Sequence, residues 1–200
     1  MITPDGRTAG ITSPKDRSGL KERWIELSED QLNAVEAEFI FKAQKKYLLG
    51  YVPSPLNWFN ISFLLKIHRD MLSPIWDWAG KQRRSEKNIG IKAFQIPSKL
   101  QDLCQDVHYW NTNPVDLTIL EQACMIHHRL ALIHPFEDGN GRFSRLIADR
   151  YLKSHRCPYP IWPDHLHQDC EARLKYISAL READQNNLKP LLNFIKLYGA

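Results

Sequence analysis

Twelve residues, from His134 to Arg145, constrain the fold of this chain more than any other segment. They read His-Pro-Phe-Glu-Asp-Gly-Asn-Gly-Arg-Phe-Ser-Arg. Pro135 cannot continue a helix, whereas Gly139 and Gly141 suit the sharp backbone at the start of the next helix. The segment therefore predicts a loop that joins two helices and concentrates polar side chains at their junction.

The junction combines groups that together can bind a phosphate chain. The first N–H groups of a helix have no partners within it, and the helix dipole is positive there, so anions bind. Glycine lets the backbone approach an anion closely, which makes Gly139, Asn140 and Gly141 a candidate cradle, although no Walker sequence occurs in the chain. Arg142 and Arg145 lie about one helical turn apart and can reach the same phosphates.

Two more side chains of the segment supply a base and a metal ligand. His134 titrates near physiological pH and can take a proton from an attacking hydroxyl. The Asp138 carboxylate suits Mg²⁺, which binds through one or two carboxylates together with substrate phosphates. A single histidine before proline is more often a satisfied core residue, and a single Gly-Asn-Gly is more often a turn. The conjunction of all these residues outweighs both alternatives.

Helical periodicity recurs along most of the remaining chain. Ser28 and Gln31 have the spacing of a capping box, which predicts a helix from there to about Leu49. Asn113 and Pro114 suit the cap and first position of a later helix. A mostly α fold is therefore predicted, with further helices over about 56–71, 97–110, 113–133, 139–151, 165–183 and 188–198.

The stretch 81–94 departs from this pattern. It is basic at first and then contains Asn88-Ile89-Gly90, which favours a short β-hairpin with an Asn/Gly turn over a helix. A plain surface hairpin without a function is the alternative interpretation. A solvated basic face is expected from the cations Lys81, Arg83, Arg84 and Lys87, with attraction of an acidic target or of a nucleotide as the lesser option.

Composition sets the remaining bounds. The 200 residues, 43% of them hydrophobic, suit one domain over 24–200 with a core at about 56–198, preceded by an extended N-terminal arm over 1–23. The net charge of +4 does not argue for direct nucleic-acid binding. No apolar run is long enough to cross a membrane, and the first 19 residues lack the apolar stretch of a secretory signal.

The cysteines indicate a reducing compartment. They are few for the length and show no CxxC spacing, so free thiols and a cytoplasmic location are expected. The four residues are Cys104, Cys124, Cys157 and Cys170.

The segment His134–Arg145 resembles the signature HPFx[D/E]GNGRxxR of Fic domains, most of which transfer AMP from ATP onto a protein hydroxyl. The chain from about Leu20 onward is similar to Fic proteins, most of all to the branch called mobile mystery protein B. The resemblance implies a Fic-type helical bundle with one short β-hairpin flap. The similar segments are Trp76–Lys81, Lys87–Gly90, His127–Leu130 and Tyr176–Arg181.

The resemblance also implies a role for each residue of the motif. His134 would deprotonate the target hydroxyl, and Asp138 would hold Mg²⁺ between the α- and β-phosphates. The backbone of Gly139–Gly141 would form the anion cradle. Arg142 would help fix that loop and the phosphates, while Arg145 would reach the γ-phosphate. A protein adenylyltransferase that uses ATP as substrate and Mg²⁺ as cofactor is therefore expected.

A target-binding flap and a control element follow from the same resemblance. The flap would clamp the target by main-chain pairing through Lys87, Asn88, Ile89 and Gly90. Many Fic proteins are inhibited by a glutamate on a helix marked [S/T]xxxE[G/N], which pairs with the second arginine and blocks the γ-phosphate. Ser178–Glu182 has that spacing without the final residue and is expected on a core helix. Glu36 is the favoured inhibitory residue, although no Ser or Thr precedes it at the position that the pattern requires. The alternative is that Glu36 is an ordinary exposed glutamate of a helix.

Other activities stay open at this point. Gly141 stands where the similar Doc branch has lysine, which favours AMP transfer over phosphate transfer. The alternatives are a latent or non-catalytic nucleotide-binding partner in a toxin-like two-gene module, encoded beside a helix-turn-helix protein, and a Fic enzyme that removes AMP or uses another nucleotide. The target protein is unknown, an oligomer of identical chains is compatible with the sequence, and neither direct nucleic-acid binding nor a membrane is expected.

Overall fold

A computed structural model of the chain describes residues 16–163, 166 and 171–198. Within these ranges the chain is mostly helical, as predicted. The α-helices are α1 (Glu29–Leu48), α2 (Ile61–Leu72), α3 (Ile96–Thr112), α4 (Ile119–Ile133), α5 (Asn140–Ser154), α6 (Glu171–Asp184) and α7 (Lys189–Leu197). Three short 3₁₀ turns lie at Glu22–Trp24, Pro55–Asn57 and Ala93–Gln95.

Side-chain caps decide where the first helices begin. Ser28 Oγ accepts the Gln31 N–H at 3.3 Å, and Gln31 Oε1 accepts the Ser28 N–H at 2.9 Å, which confirms the predicted capping box. Helix α2 begins later than the predicted position near 56. The reason is Asn60, whose Oδ1 accepts the Phe63 N–H at 3.0 Å and so caps the helix at that point.

Helix α4 begins at a cap that the sequence prediction missed. Thr118 and Glu121 form a second capping box, so the predicted start at Asn113 was wrong. Asn113 instead terminates α3, where its side-chain amide donates to the Tyr109 carbonyl at 3.1 Å.

The described residues divide into two compact units, Gly19–Tyr159 and a second that contains 16–18 and the described part of 160–198. In the second unit, the rings of Tyr176 on α6 and Phe194 on α7 lie 5.6 Å apart. The expectations of one domain over 24–200 and of an extended arm over 1–23 stay predictions, and residues 1–15 lie outside the described ranges.

The chain segment before α1 is tied to the turn after α2. Leu20 forms an isolated antiparallel bridge with Trp76, which is the one β pairing among the described residues. The Asp77 N–H donates to the Gly19 carbonyl at 2.8 Å, and the Lys21 N–H donates to the Ile75 carbonyl at 3.0 Å.

The core of the first unit lies around α5, which packs against α4, α1 and α2. Phe143 and Tyr151 of α5 are fully buried, as are Ile67 of α2 and Leu130 of α4. These contacts bury α5 on several sides and fix the position of its first turn at the junction with α4. That first turn carries the polar end of the predicted motif.

The hairpin predicted for 81–94 was wrong, because residues 81–92 contain no strand. One guanidinium takes the place of strand pairing. Arg83 Nη1 donates to the Ser85 carbonyl at 2.8 Å, and Nη2 donates to the Ile91 carbonyl at 2.6 Å, so one side chain joins the two ends of the segment. Arg83 is 3% exposed and does not belong to the solvated face expected for it. We call residues 84–92 the 84–92 loop.

Cys104, Cys124 and Cys157 are free thiols, as expected; Cys170 lies outside the described ranges. Burial raises the pKa of Cys104 to about 11 and that of Cys124 to about 12. In the part of the chain that the structure describes, every helix is too short or too polar to span a membrane.

Candidate active site

The residue at the end of α4 has an unusual backbone conformation. His134 caps α4 with φ 51° and ψ 59°, in the left-handed region, and its N–H donates to the Leu130 carbonyl at 3.1 Å. Residues other than glycine adopt this conformation rarely, and it is found most often where the surrounding structure enforces it. The backbone therefore turns sharply at His134, where α4 ends and the loop to α5 begins.

The loop between α4 and α5 is braced by one amide. Asn140 Oδ1 accepts the Phe136 N–H and its Nδ2 donates to the Phe136 carbonyl, both at 2.9 Å. Asn140 is 2% exposed. Its side chain therefore closes the loop on itself, and the backbone N–H is the group of Asn140 that can face an anion.

The two glycines of the loop differ in why they are needed. Gly139 has φ +80°, and a Cβ there would lie 2.7 Å from Leu72 Cδ1, so both backbone and packing demand glycine. Gly141 has ordinary helical geometry, and its Cβ would meet Arg145 Nη1 at 3.5 Å, an ordinary contact. Packing within the described residues therefore requires glycine at 139 and tolerates a methyl group at 141.

His134 is neutral at physiological pH in this environment. Burial lowers its pKa to about 4, and the positive charges of Arg83 and Lys87 act in the same direction. A hydrogen bond with the Ala131 backbone and the charge of Asp138 oppose the shift without reversing it. A neutral imidazole can accept a proton, so His134 has the protonation state that a general base requires.

Charged groups converge on the first turn of α5. Asp138 Oδ1 accepts the Gly139 N–H at 2.6 Å, and its Oδ2 lies 3.6 Å from Arg142 Nη2. Arg142 Nη1 lies 2.9 Å from Glu36 Oε2, and Glu36 Oε1 accepts the Trp76 indole N–H at 2.7 Å. Burial lowers the pKa of Arg142, but the charges of Asp138 and Glu36 together raise it by more, so the net shift is upward. Arg142 is therefore held between two carboxylates.

Glu36 lies in the site and forms an ion pair with the first arginine of the motif. The resemblance implied a contact with Arg145, and the structure shows a pair with Arg142, which lies one helical turn before Arg145. Glu36 is 1% exposed, so the alternative of an exposed helical glutamate was wrong. Arg145 lies beside Gly141, with its Nη1 3.5 Å from the position that a Cβ on Gly141 would take.

His68 of α2 belongs to the site and was missed from the sequence. Its Nδ1 accepts the Gly80 N–H at 2.9 Å, so its proton lies on Nε2, which donates to the Asp138 carbonyl at 3.0 Å. The ring stacks on Phe136 with 3.6 Å between centroids, and burial lowers the pKa to about 3. The available signal was its spacing of four residues from Leu64, which places a histidine within an apolar helical stripe.

The 84–92 loop lies against the motif. Gly90 has φ +89°, and a Cβ there would lie 2.5 Å from His134 Cβ, so this glycine packs directly on the histidine. Lys87 Nζ lies 2.5 Å from Glu137 Oε2, which also accepts the Ser85 hydroxyl at 3.1 Å. The predicted flap residues Lys87 and Gly90 thus contact the motif, whereas the tip residues Asn88 and Ile89 are exposed.

These features define a helical domain whose polar residues meet at one helix–helix junction. Residues 58–152 match the model of the Fic/DOC family, and the chain carries a Fic/DOC domain. The finer resemblance to the mobile mystery protein B branch stays a prediction.

Curated relatives match over most of this chain. Protein adenylyltransferase fic-1 of Caenorhabditis elegans is 29% identical over 141 residues, which cover 68% of this chain and 26% of that protein. Protein adenylyltransferase Fic of Aedes aegypti is 30% identical over 159 residues, which cover 76% of this chain and 30% of that protein. The chain therefore spans less than a third of the length of these relatives.

Solved structures share the fold. The BepC protein of Bartonella tribocorum, solved with bound AMPPNP, superposes with a TM-score of 0.66 at 18% identity, over 92% of this chain and 97% of that one. Residues 134–508 of Fic-1 from C. elegans superpose with a TM-score of 0.65 at 23% identity, over 87% and 50% of the two chains. At these identities the likeness establishes a Fic-type helical bundle.

Proposed function

We propose that this chain transfers AMP from ATP to a hydroxyl group of a target protein and releases pyrophosphate. The observation that carries the proposal is the placement of His134, at the end of α4, in the same short loop as Asp138 and the N-terminus of α5. The lowered pKa of His134 supports its role as a base. The adenylyltransferase names of the curated relatives support it. An acceptor for a proton and a cradle for anions are the two groups that such a transfer requires.

The phosphates of ATP would lie against the first turn of α5. The N–H groups of Asn140, Gly141 and Arg142 have no acceptors within the helix, and the helix dipole favours negative charge there. Packing within the described residues does not require glycine at position 141. A phosphate that approaches the backbone there would require it, and the missing side chain leaves room for one. Arg142 and Arg145 lie on the same turn and would bind phosphate oxygens bidentately.

Asp138 fits a single magnesium ion. Its carboxylate is partly exposed beside the α5 N-terminus, and the described residues contain no group of three or more metal-ligating side chains around it. Such a site suits an ion that takes one or two carboxylates from the protein and other ligands from substrate phosphates. Mg²⁺ bound by Asp138 would neutralise charge on those phosphates.

The proposed reaction is an exchange of one P–O bond for another. The target hydroxyl oxygen bonds to the α-phosphorus of ATP, the bond from that phosphorus to the α–β bridging oxygen breaks, and pyrophosphate leaves. The hydroxyl proton passes to the His134 imidazole. A positioned base of this kind accelerates such a transfer roughly 10²–10⁴-fold.

The test uses ATP labelled separately at the α- and γ-phosphates. The chain is incubated with Mg²⁺, each labelled ATP and a cell lysate, and label bound to protein is measured for wild type, His134→Ala and a control at the exposed His108, His108→Ala. The α label alone should transfer, His134→Ala should lose roughly 10²-fold or more, and His108→Ala should match wild type. Transfer of the γ label, or no transfer to any protein including the chain itself, would contradict the proposal.

Regulation and partners form the rest of the proposal. Glu36 would restrain the site by holding Arg142, and the 84–92 loop would hold the target segment beside His134. The cysteine content favours a cytoplasmic setting, the resemblance implies a helix-turn-helix partner, and an oligomer of identical chains is compatible with the sequence. ATP binding by calorimetry without any label transfer would favour the alternative of a latent nucleotide-binding partner.

A further inference from the structure

The 84–92 loop stays folded against the motif without strand pairing. Arg83, which directly precedes the loop, holds it by donating to the carbonyls of Ser85 and Ile91 near its two ends. The guanidinium is buried, so these bonds are little weakened by competing water. A planar fork with several fixed donors is suited to join acceptors that lie in different directions, which the ammonium of a lysine does less well.

The same arginine also holds the backbone of the proposed base. Arg83 Nε donates to the His134 carbonyl at 2.7 Å, and the Arg83 N–H donates to the Pro135 carbonyl at 2.8 Å. His134 has a left-handed backbone, a conformation that needs support from its surroundings. One side chain therefore joins the end of α4 to both ends of the 84–92 loop.

A second contact to the motif is made at the loop surface. Glu137, whose place in the Fic signature is variable, accepts the Ser85 hydroxyl and pairs with Lys87. The Lys87 and Glu137 side chains are 33% and 29% exposed, so solvent screens their pair and it contributes little. Arg83 is thus the dominant restraint, and Glu137 a supporting one.

We propose that Arg83 is a positioning residue that sets the distance between the target-binding 84–92 loop and the His134 base. This role rests on the proposed transfer to a protein hydroxyl. The loop and the base share one support, so a target segment bound by the loop is placed in a fixed relation to the imidazole. The phosphate side is braced separately by Asn140 and by Glu36 with Arg142, so Arg83 should not affect nucleotide binding.

The test compares Arg83→Ala and Arg83→Lys with Arg84→Gln, a control at the neighbouring exposed arginine. Tryptic cleavage after Lys87 reports the loop and needs no target protein. Loss of the buried hydrogen bonds should make this cleavage at least about tenfold faster in Arg83→Ala, while Arg84→Gln matches wild type. Calorimetry should give the same affinity for Mg·ATP in all variants, within about twofold.

A charge readout separates positioning from a general loss of structure. The Arg83 charge lowers the pKa of His134, so NMR titration should show a higher pKa in Arg83→Ala and one near wild type in Arg83→Lys. Arg83→Lys keeps the charge and lacks the planar fork of donors. Its rate of cleavage after Lys87 should therefore lie between those of wild type and Arg83→Ala. It also carries the test if Arg83→Ala does not fold.

Label transfer to lysate proteins from α-labelled ATP completes the experiment. Misplacement of reacting groups by about 1 Å can reduce a rate roughly 10²-fold, and a loss of that size is expected in Arg83→Ala. Unchanged cleavage after Lys87, or faster cleavage with undiminished transfer, overturns the positioning role. Absence of transfer in wild type overturns the proposed function instead, and the cleavage and titration results still decide whether Arg83 holds the loop and the base.

Discussion

The carboxylate of Glu36 lies 2.9 Å from the guanidinium of Arg142, a residue 106 positions later in the chain. The contact joins the middle of α1 to the first turn of α5. Trp76 completes it by donating its indole N–H to the other carboxylate oxygen. Helix α1 can therefore influence the phosphate side of the site through one charged pair.

Glu36→Gln should raise AMP transfer severalfold if Glu36 restrains Arg142. The amide keeps the shape of the side chain and an acceptor for Trp76, but loses the charge that holds the guanidinium away from phosphates. Removing one partner of a buried ion pair costs about 3–5 kcal/mol, and the amide should recover part of this. Transfer of α label and the melting temperature are measured together, with Glu38→Gln on the exposed side of α1 as control. A loss of transfer at unchanged ATP affinity would mean that Glu36 supports Arg142 instead.

The acidic limb of the pH–rate profile should lie well below the ordinary range for histidine. The base acts when His134 is neutral, and its pKa is lowered from 6.5 to about 4 by burial and by nearby cations. Transfer should therefore persist at pH 5.5 and fall as pH approaches about 4. Initial rates of α-label transfer between pH 4 and 8 test this, with far-UV circular dichroism to exclude unfolding. A limb near pH 6.5 would contradict it.

His68 should make the fold sensitive to acid. Its pKa is lowered from 6.5 to about 3, so the unfolded chain binds more protons and stability is lost as pH falls from about 6.5 towards 3. Between pH 7 and 5 this amounts to about 2 kcal/mol for one such histidine. Urea unfolding measures the free energy of unfolding at pH 7 and at pH 5. The decrease between the two should be smaller in His68→Gln than in wild type, by about that amount. His108→Gln, at an exposed histidine, should retain the full decline.

Alanine substitutions at the two loop glycines should separate folding from ligand binding. Gly139→Ala forces a left-handed conformation costing about 1–2 kcal/mol and drives Cβ against Leu72, so the melting temperature should fall. Gly141→Ala meets no close contact and favours the helix, so its melting temperature should hold or rise. Its methyl group occupies the proposed phosphate space, and calorimetry should show weaker ATP binding. Equal ATP affinity in Gly141→Ala and wild type would argue against that placement.

Local features of this chain were readable from the sequence, because the interacting residues are close along it. The Ser28 cap and the α4–α5 junction depend on neighbours within a few positions. His68 was missed because its partner Asp138 lies 70 residues away. The hairpin prediction was wrong for a different reason. Turn residues at 88–90 indicated two flanking strands, but nothing local revealed that Arg83 would bind carbonyls of this segment in place of strand pairing. Glu36 was predicted as the inhibitory residue opposite Arg145, and its ion pair with Arg142 depends on the packing of α1 against α5, which no local pattern reveals.

The lack of strands in the 84–92 loop has a consequence for how this scaffold can diversify. A paired hairpin must preserve its register, so a one-residue insertion or deletion within a strand moves the later side chains of that strand to the opposite face. The 84–92 loop is held mainly near its two ends, by Arg83, and a loop of this kind has no register to preserve. The exposed tip around Asn88 and Ile89 can therefore change in length and sequence while Arg83, Gly90 and His134 keep their contacts. Such a tip is free to evolve new recognition, and it is the natural place to graft segments when new targets are sought by design.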